Sequence, residues 1–272
     1  MSSSQLTEAY TALDAFERSP QAGCWPHLDK PTLIKEMRSR LANPFIIHQR
    51  QQPFCGPASV LFELVRKQPL RYVQMGQAFY ERGMYKAEKE LVCTTENLRQ
   101  ASRDPLGMAQ ADWMLLAALR EAETKIFPVE PNAPKLIRNL AGMTKSWEML
   151  GWVRNVLGYP NATYYHTYLF RDLQALTQAE QAIQRGGVAF ALVTAKGMLG
   201  SASEKTRLAV PDHWVTLLEA TPIEEGQPWR SALQPGSKTL KMDYYTWGDR
   251  RSVTIERRAF RRYFWGVVVG EP

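Results

Sequence analysis

Cysteine and histidine are scarce in this chain, and that scarcity narrows the chemistry before any motif is read. Cys24, Cys55 and Cys93 are an odd number of cysteines without metal-ligand spacing. They argue against a disulfide framework and a zinc site, and they fit free thiols in a reducing compartment. No cofactor-binding motif is present either. The opening Met1-Ser2-Ser3-Ser4-Gln5-Leu6 has no basic segment followed by an apolar one, and no run approaches the roughly 18 apolar residues of a membrane span. The expectation is a protein made soluble in a cytoplasm, with no membrane partner. If it is exported, the route does not use a cleaved signal. Internal repeats and low-complexity tracts are also missing.

What is present is an ordinary globular composition. With 272 residues and 44% hydrophobic content, the chain can bury a full core. Its net charge of +7 is spread along its length, and only Arg250-Arg251 and Arg257-Arg258 with Arg261-Arg262 cluster. A charge footprint of this kind carries no sequence information. It reads as a solvated face, and no nucleic acid partner is expected.

Periodicity divides the chain. Leu6, Tyr10, Leu13 and Phe16 mark an amphipathic helix over 5–17. Leu33, Met37 and Leu41 mark a second over 31–41, begun by Pro31 and stopped at Asn43-Pro44. Phe45 to Ile47 reads as a short extended run. Further helices are expected from Cys55 onward and over 70–82, 86–101, 110–126 and 145–157, the last closed by Gly158. The segments 104–107 and 127–134 read as linkers. A helix over 172–185 ends at Gly186-Gly187. Strands then follow at 188–192, 213–218 and 240–247, with a hairpin turn at 248–251 leading into 252–255 and a closing strand over 265–269. A helical first half and an antiparallel second half make an α+β fold.

The stretch Gln49-Arg50-Gln51-Gln52-Pro53-Phe54-Cys55-Gly56-Pro57 carries the chemistry. Val60, Leu61, Leu64 and Val65 form one helical stripe, and Pro57 suits a first helical turn, so Cys55 sits at or just before a helix N-terminus. Unpaired N–H groups and the helix dipole there favour a thiolate. Gln49, six residues earlier, supplies an amide for an oxyanion.

A thiol nucleophile needs an imidazole, and the imidazole needs something to orient it. Of His27, His48, His166 and His213, the last is the best base, because it opens an apolar strand after a flexible loop. Asp243 is the chosen orienting carboxylate. Asp249 is its rival, Asp212 ranks below both, and a dyad with no carboxylate stays open. Cys24 and Cys93 read as structural thiols.

Gln49, Cys55, His213-Trp214-Val215 and Tyr244-Tyr245-Thr246-Trp247-Gly248, in this order, resemble the papain-like cysteine peptidase superfamily. Among its branches the chain is most similar to the C39-like peptidases and related bacterial effector toxins. The resemblance covers about 44–269. It implies a helical extension over 1–43 and a peptidase domain over 44–272, with a helical half at 44–160 and a β half at 161–272.

Position by position it implies Cys55 as nucleophile, His213 as base and acid, and Gln49 with the Cys55 N–H as oxyanion donors. Trp247 would shield the imidazole, and Trp214 and Gly56 would join it in the substrate cleft. The pattern departs at the third member, because the superfamily's usual Asn is replaced here by Tyr245. The resemblance further implies a thiol protease acting on a protein substrate, with small or paired glycine residues before the cleaved bond. It also implies a type VI secretion toxin of bacterial competition, loaded on a carrier of the secretion apparatus, delivered into a target-cell cytoplasm and neutralised in the producer by an immunity protein. Two rival readings remain: a glutamine deamidase or transglutaminase-like toxin with the same groups, and an inactive binding module on the peptidase fold.

Overall fold

The computed structural model describes residues 3–101, 107–123, 144–167, 172–199, 209–218 and 239–272. It is an α+β protein of two compact units, Met1–Thr144 and Lys145–Pro272. The division therefore falls at Thr144 rather than at 160, and residues 1–43 are integral to the first unit.

The first unit contains helices α1 (Ser3–Arg18), α2 (Lys30–Ala42), α3 (Cys55–Lys67) and α4 (Pro69–Arg82), the hairpin β1 (Met84–Lys86) and β2 (Leu91–Cys93), and helices α5 (Glu96–Gln100) and α6 (Gln110–Glu123). Helix α1 packs on α4 and α2, α2 on α6, and α3 on α4 and α6. The apolar stripes explain the arrangement. Leu13 and Phe16 of α1, Leu33 and Met37 of α2, and Val73 and Phe79 of α4 are completely buried. Asp29 caps α2 by accepting from the Thr32 N–H at 2.9 Å, and Gly83 ends α4 in the left-handed region at φ 66°.

Two local expectations fail in this unit. The segment 86–101 is not one helix, although Lys86 to Glu90 are good helix formers. Pairing Tyr85 with Val92 buries both residues, and the Thr94 N–H and hydroxyl both donate to the Gly83 carbonyl, so tertiary burial and a closed hairpin outweigh local propensity. Nor is Phe45–Ile47 extended. Asn43 caps a 3₁₀ turn over Pro44–Ile46 by accepting from the Phe45 N–H.

The second unit has α7 (Ser146–Asn155), β3 (Asn161–His166), α8 (Asp172–Gln184), β4 (Val188–Val193), α9 (Ala195–Leu199), β5 (His213–Leu217), β6 (Thr239–Thr246), β7 (Asp249–Glu256), α10 (Arg257–Tyr263) and β8 (Phe264–Glu271). The strands form one antiparallel sheet in the order β3-β8-β4-β5-β6-β7. Helix α7 packs on β3 and β8, which is why it belongs here. One sheet face carries Val193, Val215, Leu217, Met242, Tyr244 and Val267, and it shares a core with Ala175, Leu176 and Ala179 of α8 and Phe260 of α10. Because successive side chains alternate, Trp214, Thr216, Asp243 and Tyr245 belong to the opposite face.

The hairpin joining β6 to β7 is tighter than the sequence suggests. Its loop is Trp247-Gly248, flanked by the pair Thr246 and Asp249, so Asp249 to Arg251 lie in the strand. Both loop residues have positive φ, 50° and 75°, as a two-residue type I′ turn requires. Glycine adopts that conformation at little cost, whereas a tryptophan held there is strained.

Candidate active site

Helix α3 begins at Cys55, with Pro57 in its first turn and the Ala58 N–H donating to the Phe54 carbonyl. Cys55 is 5% exposed and all of Cys55–Val65 is buried. The preceding loop is held closed by its own polar groups. Gln49 is buried, and its Nε2 donates to the Gln52 carbonyl at 2.9 Å. The Gln52 N–H donates back to the Gln49 carbonyl, and the Phe54 N–H donates to the Gln52 carbonyl. Arg50 takes a left-handed φ of 53°, and its N–H donates to His48 Nδ1 at 2.7 Å. Gln49 Nε2 carries a second hydrogen beyond the one bonded to Gln52, which is the kind of donor an oxyanion requires.

Gly56 has a packing reason for lacking a side chain. A Cβ there would stand 2.2 Å from Thr144 Oγ1, so its smallness makes room for Thr144 rather than for a ligand.

In the second unit His213 opens β5 on the same sheet face as Thr246. The imidazole is 4% exposed. Its Nε2 pairs with Thr246 Oγ1 at 2.6 Å, and the Trp247 ring stacks on it with centroids 4.6 Å apart and an interplanar angle of 26°. The Arg251 guanidinium lies 5.4 Å from the same indole and also pairs with Asp249. Burial alone holds the imidazole far below its usual range, down to about 3. The strained turn thus has a visible use, because it brings the indole over the ring.

The sheet register overturns the choice of Asp243. Thr216 is level with Tyr245 and Leu217 with Tyr244, which puts His213 level with Gly248. Asp243 is therefore five residues away along β6, about 16 Å, and on the other face. Its Oδ2 accepts from Arg250 Nη2 at 2.8 Å, and its Oδ1 accepts from the Ser252 hydroxyl. The rivals fare no better. Asp249 is exposed beside Arg251, and Asp212 accepts from the Ala195 N–H at 2.7 Å, with burial raising its carboxyl above the usual range. The group on the imidazole is a hydroxyl.

Trp214 also departs from its expected place. It is 1% exposed, a core indole on the face away from His213. Of the other histidines, His27 and His166 are exposed, and His48 is half-buried with desolvation lowering its pKa. Cys24 is half-buried, with burial pushing its thiol up, and Cys93 is exposed. Among the described residues, no group of three or more His, Cys, Asp or Glu could hold a metal ion, and no helix is long and apolar enough to cross a membrane.

Sequence reasoning missed Thr246. The signal available was its place just before Trp247-Gly248, but the register that aims it at His213 depends on where the hairpin turns. Thr246→Val is expected to lower stability by about 1–3 kcal/mol in thermal unfolding, because the buried Nε2 loses its partner. Any reaction relying on the imidazole is expected to slow by about tenfold.

Compared with protein-family models, with curated proteins and with solved structures, the chain matches none of them.

Proposed function

We propose that the chain is a papain-like cysteine peptidase that works through an acyl-enzyme. The observation that carries the reading is the setting of His213, a buried imidazole with one nitrogen on a hydroxyl and an indole stacked over the ring. A histidine kept only for packing also needs a partner for a buried nitrogen, but a base must in addition have its other nitrogen left to accept a proton. In the tautomer in which Nε2–H donates to the Thr246 hydroxyl, Nδ1 carries the lone pair, and this is the tautomer the mechanism uses. The helix start at Cys55 and the buried amide of Gln49 complete the set of groups.

In this mechanism the Cys55 sulfur attacks a carbonyl carbon as its proton passes to His213. The C=O electron pair moves onto oxygen, where the Gln49 amide and N–H groups at the start of α3 hold it. Collapse expels the amine with the proton from His213, leaving a thioester. Water, deprotonated by the same imidazole, then releases the acid and the thiol.

The substrate would be a protein in a competing bacterium, with the producer guarded by an immunity protein. That part rests on the resemblance to effector toxins. A deamidase uses the same groups on a side-chain amide, and intact-mass measurement of a treated target distinguishes the two. Two fragments whose masses sum to the parent plus water support peptidase action. A gain of about one dalton on an unbroken chain supports deamidation. No change with the parent protein, under conditions where Cys55 is reduced, would support the inactive binding module.

A further inference from the structure

A buried ion pair stands behind the loop that carries Gln49. Asp112 of α6 is 2% exposed in its side chain and Arg40 of α2 is 8% exposed. Arg40 Nε donates to Asp112 Oδ1 at 2.9 Å and Nη2 donates to Oδ2 at 2.8 Å, a bidentate pair. Arg40 Nη1 also donates to the Glu36 carbonyl at 3.2 Å, while Glu36 Oε2 accepts from the Ala111 N–H at 2.9 Å at the head of α6. Helices α2 and α6 are thus joined at the pair itself and again where Glu36 meets the Ala111 N–H.

Asp112 Oδ2 takes a second donor, the His48 N–H at 3.1 Å. From there two sets of hydrogen bonds, joined to each other by the covalent chain through Gln49 and Arg50, lead to α3. His48 Nδ1 takes the Arg50 N–H, Gln49 and Gln52 exchange bonds, the Gln52 carbonyl takes the Phe54 N–H, and the Phe54 carbonyl takes the Ala58 N–H. A buried pair of this kind is weak evidence for stability, since apolar replacement of both partners is often neutral. Its reach to one backbone amide beside Gln49 is what calls for another explanation.

We infer that Asp112, fixed by Arg40, is a positioning residue for the oxyanion donor: it anchors the His48 amide and so sets where the Gln49 side chain points. The inference rests on the cysteine peptidase reading and assigns Asp112 no contact with substrate. Positioning matters because a donor displaced by about 1 Å loses much of its effect.

Two probes separate this role from general damage. p-Nitrophenyl acetate acylates a cysteine through an oxyanion: sulfur adds to the carbonyl and p-nitrophenolate leaves. Iodoacetamide alkylates the same sulfur by displacing iodide from a saturated carbon, with no oxyanion. Asp112→Asn is the sharp variant, because the amide NH₂ must face Arg40 in either orientation, and faces the His48 N–H as well when it takes the Oδ2 place. Gln49→Ala and Asp112→Asn are each expected to slow the p-nitrophenolate burst by about 10- to 100-fold while alkylation of Cys55 stays within about twofold. The double variant is expected to be no slower than the slower single.

If the unpaired Arg40 prevents Asp112→Asn from folding, the double replacement Arg40→Met with Asp112→Leu keeps an apolar core. It is expected to show the same split. Equal slowing of acylation and alkylation overturns the inference, and so does multiplication of the two losses in the double variant. A burst unchanged by Gln49→Ala but abolished by Cys55→Ala removes Gln49 as donor and this inference with it, leaving the nucleophile intact. A burst that survives Cys55→Ala removes the peptidase reading itself.

Discussion

Cys55→Ala is expected to abolish the acylation burst, a loss of at least about 10³-fold, while the melting temperature moves by only a few degrees. The two halves of that result have different origins. Alanine occupies nearly the same space at the first position of α3, and the stripe Leu61, Leu64 and Val65 that anchors the helix is untouched, so little packing is lost. The covalent step, in contrast, has no other cysteine at a helix start among the described residues. Cys93 is exposed and could react adventitiously with an activated ester, so Cys93→Ala is the control and is expected to keep the burst. A burst retained in Cys55→Ala and lost in Cys93→Ala would overturn the assignment of the nucleophile.

Elements whose apolar spacing matched their burial were legible in the sequence. Leu6 to Phe16, Leu33 to Leu41 and the stripe after Cys55 gave helices because each presents one apolar face. The strands beginning at Val188 and His213 were legible because short apolar runs followed turn residues. What failed depended on partners distant in sequence. Lys86 to Glu90 could not reveal that Tyr85 would bury itself against Val92. Asn161–His166, an edge strand with a mixed burial pattern, gave no alternation to read. The arginines of the basic run Arg258, Arg261 and Arg262 are a solvated face, as read, but Phe260 and Tyr263 give the same stretch a buried side and make it a helix, whose exposed Arg261 reaches Asp172 at 3.5 Å.

The candidate site divides the same way. Cys55, Gln49 and His213 were readable because each sits at the start of an element or in a loop with a local signature. The orienting group was not, because one residue of uncertainty in a hairpin turn reverses the face of every side chain in the strand. Asp243 was an attractive partner because it shares a strand face with Tyr245, the place of the superfamily's Asn. With Trp247-Gly248 as the turn, Thr246 faces the imidazole and Asp243 turns to Arg250 and Ser252.

Having a hydroxyl rather than a carboxylate on His213 changes the expected pH behaviour, and the change is large. The folded protein holds the imidazole neutral down to about pH 3, while in the unfolded chain it takes up a proton near 6.5. Between those values the unfolded state binds the extra proton, so stability rises with pH there and is lost as pH falls from 6.5 toward 3. Above 6.5 the group contributes no pH dependence. One proton is worth ~1.4 kcal/mol per pH unit, so His213 gives the parent's stability a slope of that size across this window.

His213→Gln retains an amide that can pair with Thr246 and removes the titration. Its denaturant-unfolding free energy, taken relative to the parent at each pH, is therefore expected to gain progressively as the pH drops from 6.5 to 4. Parallel curves for the two proteins would show that the imidazole titrates normally. The same neutrality bears on the proposed catalysis, since among the described residues the group bonded to the imidazole is the Thr246 hydroxyl and no carboxylate is there to stabilise an imidazolium. The imidazole carbon resonances of His213 are accordingly expected to stay at their neutral positions down to pH 5, and the acid limb of Cys55 acylation is expected to lie well below 6.5.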